Sequence, residues 1–479
     1  MKRFSLAVIL AMGIALIANV APAAAAGTTC STVANGNGTS TETCNFPVTM
    51  APFEVKQQIS AVPAPRVNGF ITAMSVNVVD ANGAAVPIKR LMLHHIVFVN
   101  PGRPNPTCAG KQTFGFDSRP ANYTNDQLFY GAGEERNQLV LPSGYGYQIH
   151  ASETYWGMVW MFMNHRNQTD HAFIQWKVTY DKTSSLTPVT PYWLDVRNCH
   201  ADPVFDIPGG GKKGSTYSQK FNFTMPESGR IVAGGGHVHG GAKNLVVSEP
   251  DCGNRKIFTS SPAWGMASNP FYKVRPILHE PGPISMSGYL SQTGYPIAQG
   301  ERIRLTANYD NARPHTRVMG ISMVYLAPQT VSGCAAPPTD GHVLQPAQLR
   351  GVPFRTKPPV FVVPLTGLDN NGNAITIQRP PGATKNLANG ATIGVRDNYF
   401  ATTNASVAQG TTVNWRFDSP IYHEHNVTLA NGPRGFSSVN LDGGRKYNFH
   451  FKTPGTYRIF CALHPIEMTE TVTVRKRKH

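Results

Sequence analysis

Charged residues make up only 15% of this 479-residue chain, and acidic ones are the scarcer kind, with 27 Asp and Glu against 43 Lys and Arg. So little charge excludes long solvent-facing helices, which are built from Glu, Lys and Arg. The basic excess is scattered, and its one dense run is the terminal Arg475-Lys476-Arg477-Lys478, so no nucleic-acid surface is indicated. Long apolar runs are missing as well. Beyond the first 26 residues none reaches the roughly 18 residues that a membrane span requires. The longest candidate, Met158 to Met163, is the size of a strand, and no membrane span is expected.

Turn formers are plentiful, with 45 Gly and 38 Pro. Between them recur short alternating or β-branched runs such as Ile71 to Val79, Phe173 to Tyr180 and Ile303 to Tyr309, the pattern of antiparallel sandwiches. The length predicts about three domains. Residues 1–26 have the layout of a secretory signal: Lys2 and Arg3, an apolar stretch from Phe4 to Val20, then Ala24-Ala25-Ala26 as a cleavage site. A periplasmic or secreted protein follows from that. The expected division is a first jelly-roll-like sandwich over 27–200, a second over 201–334, a Pro/Gly-rich linker over 335–385 and a small sandwich over 386–479. The fold class is all-β.

Seven cysteines in an oxidising compartment leave one over after pairing. Cys30, Cys44, Cys108, Cys199, Cys252 and Cys334 allow fifteen pairings. A Cys199–Cys334 bridge is one suggestion, since it would tie the ends of the second sandwich. The remaining cysteine, Cys461, stands in Tyr457-Arg-Ile-Phe-Cys-Ala-Leu-His-Pro-Ile-Glu-Met468. One loop there can aim Cys461, His464 and Met468 at one point. Thiolate and thioether are soft donors and imidazole intermediate, so the set selects copper. A blue centre needs a second imidazole, and His425 in His423-Glu-His-Asn-Val-Thr428 supplies it. His423 competes for that role, but the Asn-Val after His425 makes His425 the better match.

This segment resembles the cupredoxins, in its His-Asn-Val after a loop, its Gly455-Thr456-Tyr457 lead into a strand, its Cys-x-x-His and Met, and its opening run from Phe400 to Trp415. The resemblance implies His425, Cys461 and His464 as equatorial ligands of a type 1 copper and Met468 as the axial one. The His464-to-Met468 gap departs from the family pattern, being a residue shorter than in plastocyanins and longer than in amicyanins.

Upstream, His94-His95 lie in an apolar strand, where neighbours face opposite ways unless a bulge intervenes. His165 ends another strand. His237 and His239 alternate in Gly234-Gly-Gly-His-Val-His-Gly-Gly241 and project from one face. Met319 follows in His315-Thr-Arg-Val-Met-Gly320. Each taken alone reads as a buried, satisfied core residue. Their order resembles the copper type II monooxygenases typified by the peptide-amidating hydroxylase and dopamine β-hydroxylase. The stretches 307–320 and 234–241 also resemble the plant stress-induced nodulin-19-like proteins. The monooxygenase resemblance implies two further mononuclear coppers, one at His94, His95 and His165 and one at His237, His239 and Met319, the latter being the dioxygen site. His315 is an alternative ligand, but along a straight strand it lies about 13 Å from Met319. The pattern also departs: Gly235 replaces the Arg that holds a substrate carboxylate in the amidating enzyme, and Ile321 and Met323 replace polar contacts, which disfavours peptide amidation. His150, His171, His200, His279, His342 and His450 have no partner at ligand spacing and read as ordinary residues.

Two functions follow from these readings. One is an exported copper monooxygenase of unknown substrate, its blue copper domain fed by a redox partner or small reductant and using dioxygen. The other is a non-catalytic copper electron-transfer or copper-storage protein.

Overall fold

The computed structural model describes residues 27–108, 126–182, 185–200, 202–266, 268–269, 272, 278–344, 352–359, 382–421 and 423–477. The expected signal over 1–26 and much of the expected linker lie outside the described residues. No described helix is long and apolar enough to cross a membrane.

Alternation of buried and exposed residues builds the first module. One sheet runs in the order Thr29–Ala34, Thr39–Met50, Asp170–Asp181, Gly69–Val79, Tyr145–Ile149 and Thr187–Pro188, with Leu139–Val140 beside Gly69–Val79. The facing sheet runs Val55–Pro63, Tyr155–Asn164, Leu91–Pro104, Asp126–Gly133. Leu91–Pro104 and Tyr155–Asn164 are central in that sheet and nearly continuously buried, so they read as apolar runs without alternation. Phe98 of one sheet meets Trp176 of the other at 5.6 Å between ring centroids.

The second module pairs a sheet of Thr190–Asp195, Gly320–Pro328, Gly229–Val238, Gly288–Ile297 and His342–Leu344 with one of Thr216–Thr224, Arg302–Asp310, Ala242–Glu249 and Arg255–Ser260. Two expected boundaries move. Thr190–Asp195 lies before residue 200 yet joins the second module, because its buried Tyr192, Trp193 and Leu194 pair along Ser322–Val324. Part of the expected linker is also strand: His342–Leu344 closes the open edge of Gly288–Ile297, and Phe354–Arg355 pairs with Trp264–Gly265. One hydrophobic core runs continuously through both modules, from Cys44 to Ala327.

The third module has its own core around Trp415, Phe451 and Tyr457. Its sheets run Lys385–Asn386, Asn404–Ala408, Thr469–Arg475, Gly455–Phe460, Thr428–Asn431 and Tyr399–Phe400, Thr392–Arg396, Thr411–Phe417, Lys446–Phe451. Asn404–Ala408 pairs parallel to Thr469–Arg475, and Thr392–Arg396 parallel to Thr411–Phe417, so this sandwich is mixed. It docks on the second module through Thr316 Oγ1 donating to the Leu429 carbonyl (2.8 Å) and Ser437 Oγ donating to Asp206 (2.8 Å).

The disulfides are Cys30–Cys44, Cys108–Cys199 and Cys252–Cys334, and Cys461 is free. The suggested Cys199–Cys334 bridge is therefore incorrect. Cys199 follows the strand that crosses between modules and meets Cys108 of the first. Cys334 lies with its Cα 5.3 Å from that of Cys252, within bridging range.

Candidate metal centres

The short loop after Gly455–Phe460 folds back on itself, with the Cys461 N–H donating to the Met468 carbonyl (3.1 Å), His464 N–H to Cys461 (3.1 Å) and Met468 N–H to His464 (3.0 Å). Asn426 pins this loop to the one bearing His425: its N–H donates to Cys461 Sγ (3.4 Å), and its Oδ1 accepts from Ala462 N–H (2.8 Å) and Thr428 Oγ1 (2.8 Å). Three donor atoms converge as a result. His425 Nδ1 and His464 Nδ1 are 3.1 Å apart, and Cys461 Sγ lies 4.0 Å and 3.7 Å from them. Bonds of about 2.0 Å to nitrogen and 2.3 Å to sulfur subtend edges of this size around one ion. Met468 is fully buried in the same core. His423 stands apart, exposed beside Asp397.

Burial drives the protonation states. It pushes the Cys461 thiol up, partly offset by the Asn426 N–H. Burial, then the neighbouring His464, lowers His425 to about 4. The imidazoles are thus neutral, with lone pairs available, while the thiol awaits a cation to draw off its proton.

A second cluster lies where the first two modules meet. His94 is the extra residue of a bulge, since Leu93 pairs with Phe162 and His95 with Met161. That is the condition under which both rings reach one point, and His94 Nδ1 and His95 Nδ1 are 3.1 Å apart. The His237 and His239 rings are 5.0 Å apart, and His94 sits 4.9 Å from His239. The two expected ligand sets are therefore contiguous.

The supporting bonds orient these rings. His237 Nδ1 donates to Glu135 at 3.0 Å, and His239 Nδ1 to the Arg317 carbonyl at 2.9 Å. In both, the buried Nε2 has no protein partner. An imidazole held at one nitrogen by a carboxylate or carbonyl, with the other bare, is the usual setting of a metal ligand. The donor set fits copper. Burial and neighbouring histidines depress His94 and His239 far below the ordinary value, and burial then His237 lowers His95 to about 4. For His237 burial also pulls downward, but the charge and hydrogen bond of Glu135 outweigh it and the net shift is upward.

Three expected placements differ. His165 is not drawn into a closed triad with His94 and His95. Its ring bonds the Ile88 backbone, and burial, then the neighbouring His279, lowers it to about 3. His315 donates to Glu280 at 2.7 Å, and Arg317 (φ 51°) bends the chain between it and Met319. Met319 is buried and lines two cavities, one shared with His94, His95 and His239 and the other with His95 and His237. His279, read as ordinary, is a member of the cluster: its ring is 4.7 Å from His94, its Nε2 donates to Glu134, and its buried Nδ1 has no protein partner. Among the described residues outside the disulfides, His94, Glu134 and His279 form the other closed donor triad. No local spacing marks it, because its partners are remote in sequence. Glu134 and Glu135 follow Gly133, which pairs with His95.

The protein family described as stress up-regulated Nod 19 matches residues 162–329, a span that holds His165, His237, His239, His279 and Met319. Among solved structures, a purple cupredoxin from Nitrosopumilus maritimus is 26% identical over 18% of this chain and 99% of its own, with a TM-score of 0.16. An oxidised amicyanin variant is 22% identical over 19% of this chain and 86% of its own, at 0.17. A reduced amicyanin variant is 24% identical over 19% and 85%, also at 0.17. No curated protein matches the chain.

Proposed function

We propose that this chain is an exported copper redox protein. His425, Cys461, His464 and Met468 would hold a blue copper, and His94, His95 and His237, His239, Met319 would hold copper at two further sites, the metals supplying single-electron transfer and the oxidation of an organic substrate by dioxygen. His165 or His279 completes the first of those two sites. The observation that supports this reading is the thiol–imidazole triangle, with edges of 3.1, 3.7 and 4.0 Å, linked to His239 through Asn426, Val427, Ser438 and Arg317. Bound copper supplies one-electron chemistry and, in its reduced state, affinity for dioxygen.

The reaction class is hydroxylation. A C–H bond gives way to C–O–H, and the second oxygen atom leaves as water. The two electrons required come from an outside small reductant or reduced redox protein, and the two protons from water. The chain's own residues fix the ring tautomers, through Glu135 and the Arg317 carbonyl, and burial favours the neutral form of His94, His95 and His239.

The clustering of His94, His239 and His279 in ring contact also suits a protein that only holds copper, as a store or relay. Dioxygen uptake by the copper-loaded full chain, given ascorbate, separates the two. Uptake faster than with free copper, and lost in Cys461→Ser when electrons enter through a redox-protein donor, supports the oxygenase. Uptake no faster than free copper favours the store or relay.

A further inference from the structure

A cavity of about 310 Å3 lies between the first module's sheet and the second's, and His95, His237 and Met319 stand at its wall. Strand geometry explains why it exists. Along Gly229–Val238 alternate residues face alternate ways. A Cβ on Gly234 or Gly236 would strike Phe258 or Leu245 in the second core, at 2.8 and 2.6 Å. A Cβ on Gly235 would meet nothing within 4 Å. Gly235 therefore opens the cavity, on the same face as His237. Opposite it in register stand Met323 and, beside His237, Ile321.

The cavity wall carries no Asp, Glu, Lys or Arg among the described residues. Four of its polar side chains are engaged with the protein. Asn137 donates to Glu135 and to the Gly236 carbonyl, Tyr130 to the Asn137 carbonyl, and Tyr325 to the Phe129 carbonyl, while Ser287 Oγ accepts from Ser261 N–H. Much of the rest of the wall is hydrocarbon: Val97, Leu139, Met286, Leu290, Ile321, Met323. The volume falls at the small end of ligand pockets, roughly 300–1,000 Å3.

We infer that this cavity binds a neutral, largely hydrocarbon small molecule, and that this is the substrate class of the oxygenation proposed above. The assignment as substrate rests on that reading; occupancy of the cavity does not. Gly235, Ile321 and Met323, which bring no polar side chain to the wall beside His237, set the specificity of the site. An anionic molecule would lose its hydration there and meet no Lys or Arg to replace it.

The test is calorimetric titration of the full chain, copper-loaded and copper-free, with naphthalene as the probe and benzoate as its charged counterpart. Naphthalene should bind saturably at one site and benzoate should not. Gly235→Leu, which places its side chain in the open space on a backbone that tolerates a Cβ, should weaken naphthalene at least tenfold with copper content and the blue absorption unchanged. Gly235→Ala should weaken it less. Absence of saturable naphthalene binding, equal binding by Gly235→Leu, or preference for benzoate would overturn the inference. Naphthalene bound by a chain that never consumes dioxygen would overturn the oxygenase reading and leave the apolar site standing.

Discussion

His239 donates its Nδ1 proton to the carbonyl of Arg317 at 2.9 Å, and the Arg317 guanidinium in turn donates to the Ser438 carbonyl at 2.9 Å. Ser438 Oγ accepts from Val427 N–H (3.0 Å), one residue from Asn426, whose N–H donates to Cys461 Sγ. A continuous run of covalent and hydrogen bonds thus joins the thiolate centre to the histidine cluster, with one residue bridging the modules. The same carbonyl fixes the His239 tautomer, leaving Nε2 bare.

Arg317 has φ 51°, which glycine adopts without steric cost, so Arg317→Gly removes the guanidinium and keeps the carbonyl. After rapid reduction of the thiolate centre, reoxidation by the histidine cluster should slow at least tenfold, with copper content unchanged. Time-resolved loss and return of the blue absorption measures this. An unchanged rate would mean that electrons take another route.

Gly133 is a close-approach glycine: a Cβ there would lie 2.5 Å from the His237 ring and 2.8 Å from Glu135. Gly133→Ala should displace His237 from its carboxylate and lower copper bound outside the blue centre by about one equivalent. It should also lower stability by roughly 1–3 kcal/mol, as overpacking of a tight site does. Metal analysis beside a thermal melt checks both.

Asp170 accepts a two-pronged bond from Arg90, at 2.9 and 2.7 Å, and an ion pair from Arg166 at 3.3 Å, clamping the turn that follows His165. Burial raises its pKa, but the Arg90 bonds and the two charges outweigh this and the net shift is downward. A carboxyl depressed on folding contributes stability above its unfolded value and loses it as pH falls through the folded one. Asp170→Asn should therefore cost roughly 1.5–3 kcal/mol near neutrality, and the gap should close below about pH 4. Parallel melts across pH read this out; a gap that widens in acid would contradict it.

The all-β class and the Cys461 loop were legible because both are local: alternation is read within a strand, and Cys461, His464 and Met468 share one turn. The meeting of His94 with His95 was legible only as a condition, since a bulge depends on the partner strand. What stayed hidden depends on remote pairing. His279 joins His94 and Glu134 across the fold, Cys199 finds Cys108 because Thr190–Asp195 crosses to the second module, and the contact of His94 with His239 depends on how two sheets pack. The lone His and the Cys at such positions look like any other.

The most direct measurement of the central claim is copper stoichiometry with absorption spectroscopy on the full mature chain and on Cys461→Ser. The account predicts three coppers in the parent, one of them giving an intense thiolate-to-copper band, and two in the variant with that band gone and the melt little changed. A variant that stays blue, or a parent that holds a single copper however it is loaded, would contradict it.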